Sequence, residues 1–161
     1  MQARTKRILA LSTVGLLVVL VAVAGVVYAL VRNLPPRLPE ITAFAHDRTE
    51  RVVPLGYCNL YLEDCAGGGI TELDVPPGYP LQLSMPPEIV NAPWRLFAIY
   101  EDPSGNAIIM EQTHRAGETH AVTVPSSEEL QLAGVEIQLP SAVVDEEGLP
   151  HARAVWSIKT A

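Results

Sequence analysis

Cysteine is scarce in this chain, which has two in 161 residues, Cys58 and Cys65. Their spacing makes neither a Cys-x-x-Cys redox or metal pair nor a Cys-x-x-Cys-His haem attachment. No cysteine falls in the N-terminal apolar run, which excludes a lipid-modified cysteine anchor. The four histidines, His46, His114, His120 and His151, show no metal-ligand spacing, although His114 and His120 flank an expected turn and could face each other. Ser126 and Ser127 lack a Gly-x-Ser-x-Gly context. Gly67-Gly68-Gly69 is followed by neither a helix nor a lysine, so it reads as a flexible corner and not a phosphate loop. Glu63 with Asp64, and Asp145 to Glu147, read as solvated turn charge, not as general acids and bases. No acid, base, nucleophile or metal set converges. The expectation is a protein that is not an enzyme and holds no cofactor or metal.

Basic residues are scarce beyond residue 40. From Ile41 onward six of them (Arg48, Arg51, Arg95, Arg115, Arg153, Lys159) face seventeen acidic ones, a net charge near −11 against −7 for the whole chain. Such a field repels nucleic acid and anionic lipid. It favours a basic partner, though an acidic surface also serves solubility alone.

Charge and proline are absent altogether between Ile8 and Val31, where the polar side chains are Ser12, Thr13 and Tyr28. A bilayer core of about 30 Å needs about 20 helical residues, so residues 8–31 can cross with some tilt. Arg4, Lys6 and Arg7 precede the run in a short tail, residues 1–7, and Arg32 and Arg37 follow it. The basic bias toward the tail, and the cysteine-containing domain beyond, predict a cytoplasmic N-terminus and an extracytoplasmic C-terminal domain. Tyr28 then lies near the outer interface. A cleaved signal peptide competes with this reading, because Ala22-Val23-Ala24 before Gly25 resembles a cleavage site. The apolar run continues well past that site, which argues for retention as a single-pass cell-membrane anchor. Ser12, Gly15, Ala22, Gly25 and Ala29 recur along one stripe of the helix, and Gly25 and Ala29 make a small-xxx-small pair. Small residues let helix backbones approach closely in lipid, so this stripe is the candidate packing face, although Gly and Ala are common in such helices.

Residues 32–40 hold three prolines, Pro35, Pro36 and Pro39, in a linker that favours an extended, semi-rigid spacer of roughly 20–25 Å. The remaining residues, 41–161, suffice for one domain. After residue 33 no stretch keeps a helical period. Short strand-like runs follow instead, at 41–45, 50–54, 58–62, 69–75, 80–85, 95–101, 107–113, 119–124, 135–139 and 152–159. Leu81, Leu83 and Met85 share one face, as do Val135, Ile137 and Leu139, and as do Ala152, Ala154, Trp156 and Ile158. This alternation marks half-buried antiparallel strands. Asp102-Pro-Ser-Gly-Asn106 and Asp145-Glu-Glu-Gly148 carry hairpin-turn chemistry, and Pro125-Ser-Ser-Glu-Glu129 could cap one helical turn. The fold class expected is all-β: an immunoglobulin-like antiparallel sandwich with Trp94 or Trp156 in its core, carried on one N-terminal transmembrane helix. In an oxidising compartment Cys58 and Cys65 should form a disulfide, worth about 2.5 kcal/mol by loop entropy.

Several motifs together carry a resemblance: the N-terminal span, the Pro-rich spacer, Tyr57-Cys58 with Cys65, the run from Leu81 to Pro87 (LQLSMPP), that from Pro93 to Pro103 (PWRLFAIYEDP), and that from Ala154 to Ile158 (AVWSI). The chain resembles a family of uncharacterised actinobacterial, membrane-anchored exported proteins over most of residues 50–160. These motifs are structural and bring no catalytic residue with them. The resemblance implies a role as an accessory subunit, with the actinobacterial cytochrome bcc–oxidase respiratory supercomplex as the partner to expect. The first functional expectation is therefore a non-catalytic subunit of an integral membrane complex, packing by its helix and covering the outer surface with its domain. The alternative is a free-standing cell-envelope binding module for a cell-wall or lipid ligand, with an aromatic groove drawn from Tyr57, Tyr61 or Tyr79.

Overall fold

A computed structural model describes residues 3–32 and 37–160, with side chains from Ser12 onward. It divides the chain into two compact units, Met1–Arg37 and Leu38–Ala161. Asn33 to Pro36 of the expected spacer lie outside the described residues, as do the side chains of Arg4, Lys6 and Arg7.

The first unit is the helix α1 (Ala3–Arg32). Its stretch Ser12–Arg32 is long and apolar enough to cross a membrane, and the same length and composition serve an export signal. Every side chain from Ser12 to Arg32 is exposed, so the apolar surface runs all round the helix.

The second unit is mostly β. Its strands are β1 (Ile41–Ala45), β2 (Arg48–Val52), β3 (Gly56–Tyr57), β4 (Thr71–Glu72), β5 (Leu81–Ser84), β6 (Trp94–Glu101), β7 (Ala107–His114), β8 (Ala121–Val124), β9 (Gln131–Val144) and β10 (Pro150–Lys159). A single turn of helix, α2 (Pro87–Val90), stands between β5 and β6. One sheet has the order β2-β1-β5-β8, and the other β3-β10-β9-β6-β7. Neighbouring strands are antiparallel except for the short β4, which pairs in parallel with β10.

Alternation builds the core. In β1 the buried residues are Ile41, Ala43 and Ala45; in β5, Leu81 and Leu83; in β6, Trp94, Leu96, Ala98 and Tyr100; in β10, Ala154, Trp156 and Ile158. Both sheets send these side chains into one cluster. Both tryptophans are fully buried. Trp156 Nε1 donates to the Pro39 carbonyl at 2.9 Å, which satisfies a polar atom that burial would otherwise penalise.

The expected hairpin turns form. Asp102 Oδ1 accepts from the backbone N–H groups of Ser104 and Asn106 between β6 and β7, and Asp145 Oδ1 accepts from that of Leu149 between β9 and β10. Four local readings need correction. The run 58–62 is not a strand. Asn59 Oδ1 accepts from the N–H groups of Tyr61 and Glu63, and this local bonding replaces ladder pairing. Strand pairing in 69–75 is confined to Thr71–Glu72. Pro125–Glu129 makes no helical turn, because Ser126 Oγ and Ser127 Oγ accept from the N–H groups of Leu132 and Leu130. The helical turn lies instead at Pro87–Val90, where proline sits in the first turn and Ile89 and Val90 anchor it in the core. Gly67 is a point of close approach, not a flexible corner: a Cβ there would stand 2.3 Å from the Leu55 carbonyl oxygen.

Candidate interaction surfaces

Ser12, Gly15, Ala22, Gly25 and Ala29, the candidate packing residues, all lie on α1 and are all exposed. A Cβ built on Gly15 or Gly25 meets nothing within 4 Å. The two glycines thus leave open space beside the helix backbone.

Cys58 and Cys65 are bonded, with Cα atoms 4.1 Å apart. The bridge closes a loop in which Leu62 and Asp64 take φ of 64° and 52°, a left-handed conformation that non-glycine residues rarely adopt. The loop leans on β9 and β10: the Leu60 carbonyl accepts from Ala142 N–H at 2.9 Å, and Cys58 N–H donates to the Arg153 carbonyl at 2.8 Å. Leu60 and Tyr61 at its tip are exposed.

The three tyrosines offered as alternatives for an aromatic groove lie in three places. Tyr57 packs edge-on to Trp156 and carries the Arg153 guanidinium over its ring. Tyr61 stands on the disulfide loop. Tyr79 meets His46 edge-to-face at 4.3 Å. Tyr79 and His46 help line an open cleft of about 260 Å³ with Phe44, Asp47, Pro80 and Gln82. Phe44, His46, Asp47, Pro80 and Gln82 are the members sequence reading missed. The signal for Phe44 was available, since it occupies an outward position of an alternating strand.

The second sheet offers a different outer face. Phe97 and Ile99 of β6 lie beside Glu111 and Ile109 of β7. Arg95 reaches over the Phe97 ring, pairs with Glu111 at 3.8 Å and donates to Gln138 Oε1 at 3.0 Å. At the end of β7, His114 does not pair with His120; it stacks on Trp94 at 4.0 Å. Trp94 Nε1 and His114 Nε2 are buried there without a hydrogen-bond partner.

Two ionisable groups are perturbed. Burial pushes the Tyr100 phenol up. Asp102 is held below the usual carboxylate range, first by the Asn106 side-chain amide and then by backbone N–H groups of its turn. Neither stands in a constellation of catalytic groups, and among the described residues no three His, Cys, Asp or Glu side chains are grouped to hold a metal ion.

Comparison with known proteins places the chain in a lineage. Uncharacterised proteins of Mycobacterium tuberculosis and Mycobacterium bovis are each 39% identical to it over 166 aligned positions, covering 96% of this chain and 98% of theirs. No solved structure matches it. A family model described as protein of unknown function (DUF2771) matches residues 34–161, and the chain belongs to that family.

Proposed function

We propose that this protein is a non-catalytic accessory subunit of an integral membrane complex. In this reading α1 crosses the membrane with its N-terminus in the cytoplasm, and the β domain stands outside. The observation that carries the proposal is α1 itself, apolar on every side and marked by one stripe of small residues. A helix that only tethers has no use for such a stripe, whereas a helix that packs in lipid needs one. The Cys58–Cys65 bridge supports the outer side of the membrane, because disulfides persist in oxidising compartments. The actinobacterial relatives and the resemblance noted above make the respiratory bcc–oxidase supercomplex the first partner to examine.

For the domain we infer an immunoglobulin-like sandwich. Three features support it: the antiparallel run β1-β5-β8 in one sheet, the run β10-β9-β6-β7 in the other, and the short parallel strand β4 beside β10. The buried Trp94 at the start of β6 is in keeping with the core tryptophan of that architecture. The inter-sheet disulfide of antibody domains has no counterpart here, since both cysteines lie in the loop after β3.

The test is to substitute Gly25→Leu in the full-length chain and to purify it from native membranes in mild detergent. The variant should lose its membrane partner while the domain keeps the thermal midpoint of the wild type. An unchanged set of co-purifying proteins would count against packing through this stripe.

A second reading, a cell-envelope binding module, is favoured by one observation, the cleft lined by Phe44 and Tyr79.

A further inference from the structure

We propose that the outer face of the first sheet, centred on the Phe44–Tyr79 cleft, binds a neutral glycan chain. The inference concerns the β domain alone and does not depend on what α1 packs against.

The composition of the face is the first argument. The register sets Thr49, Phe44, Gln82 and Thr123 in one line across the four strands, and Arg51, Thr42, Ser84 and Ala121 in the next. All eight are exposed, and none is an aliphatic residue larger than alanine. Phe44, 38% exposed, is therefore a single ring set among hydroxyl and amide groups. Beside it in the cleft stand Tyr79 and Pro80, so a second aromatic ring adjoins the polar row.

The second argument is the wall built beside that ring. His46 and Asp47 form the two-residue turn between β1 and β2, with φ of 43° and 65°. Turns of this kind are relaxed with Asn-Gly or Gly-Gly. Here the left-handed positions go to an imidazole and a carboxylate. The imidazole is pressed edge-to-face on Tyr79, 47% exposed, so both rings are fixed at the lip of the cleft.

The third argument is chemical fit. A pyranose offers polarised C–H bonds on its face and hydroxyls round its edge. The C–H face suits the negative π face of an aromatic ring. The hydroxyls suit the Asp47 carboxylate as acceptor and the Gln82 amide as both donor and acceptor, with the threonine hydroxyls continuing the row. The cleft, at about 260 Å³, is smaller than the roughly 300–1,000 Å³ of a pocket that encloses a drug-sized ligand. It fits one ring of a chain that runs on along the sheet. A net charge near −11 on this part of the sequence disfavours anionic polymers. A cationic ligand would want ring faces converging on one point, but His46 and Tyr79 are turned 64° and packed on each other.

The test uses the full-length protein in a detergent without a sugar headgroup, lauryldimethylamine oxide. Maltohexaose, chitohexaose, a linear arabinan and a linear galactan are titrated by calorimetry, with heparin and tetramethylammonium as the anionic and cationic comparisons. At least one neutral oligosaccharide should bind, and Phe44→Ala and Tyr79→Ala should each weaken it about tenfold. Tyr61→Ala, on the disulfide loop, should leave it unchanged. Thermal midpoints of the variants show whether a loss reflects unfolding, and Gln82→Ala gives a second, milder probe of the same row. Absence of binding by all four neutral glycans overturns the proposal, as does binding of tetramethylammonium in their place or a Phe44→Ala protein that binds as the wild type does. Loss of a membrane partner on Gly25→Leu substitution is read in a separate experiment, so either idea can fail alone.

Discussion

α1 and β10 use similar apolar residues and treat them in opposite ways. In β10 the apolar set Ala154, Trp156 and Ile158 turns inward, while Arg153, Ser157 and Lys159 turn to the other side. The strand has two faces because its side chains alternate, and each face meets a different environment. In α1 the valines and leucines from Val14 to Val31 are each more than half exposed, on every side of the helix. A surface helix of a globular protein shows one apolar stripe; a helix apolar all round needs apolar surroundings all round. The difference teaches that β10 carries its solvent boundary within its own sequence, whereas α1 borrows its surroundings from something outside the chain.

The sharpest test of that contrast is a pair of truncations. Trp156→Ala should destabilise the domain by about 3–5 kcal/mol, because it opens a cavity in the core and removes the bond to Pro39. Leu20→Ala, a truncation in α1, should leave the unfolding midpoint of the domain where it was. Thermal or urea unfolding of the full-length protein in detergent reads both. Equal effects from the two would break the comparison.

A smaller effect is expected at the disulfide. Replacing Cys58 and Cys65 together by serine should cost about 2.5 kcal/mol by loop entropy. The loss should fall somewhat short of that figure, because Leu62 and Asp64 are then free to leave the left-handed region. Urea unfolding in the presence and absence of reductant checks it. A loss comparable to that of Trp156→Ala would mean that the loop, and not the core, holds this end of the domain.

The smallest effect concerns pH. The folded-state pKa of Asp102 is depressed, so its contribution to stability is present above the unfolded value near 3.9 and lost as pH falls through the folded value. The carboxylate bonds only within its own turn, so only the β6–β7 turn should respond. A carboxyl resonance of Asp102 that titrates below the usual range, and that returns to it in an Asn106→Ala protein, is the expected result. A normal titration in the wild type would refute the role given to Asn106.

Much of the β domain was legible because the signals are local. β1 was read to the residue, since Ile41, Ala43 and Ala45 alternate with the outward-facing Thr42 and Phe44. The turns at Asp102–Asn106 and Asp145–Gly148 were legible from residues whose side chains bond within the turn itself. The misreadings share a cause, which is competition from side chains. Asn59, Ser126 and Ser127 each satisfy nearby backbone N–H groups and so override the strand or helix that composition suggests. The cleft was legible only in part. Tyr79 was named as an exposed aromatic, but its partner His46 is reached only through the pairing of β1 with β5, and that register is not written in either strand alone. The small residues of α1 were legible as a pattern, because helical periodicity is written in local spacing.

The most direct measurement is the composition of what leaves native membranes with the tagged protein in mild detergent, read by mass spectrometry, intact mass and a visible spectrum. The account predicts an uncleaved chain, recovered in fixed ratio with integral membrane subunits, with haem absorbance if the respiratory supercomplex is the partner. A protein recovered alone, or a soluble product beginning at Gly25, would contradict it.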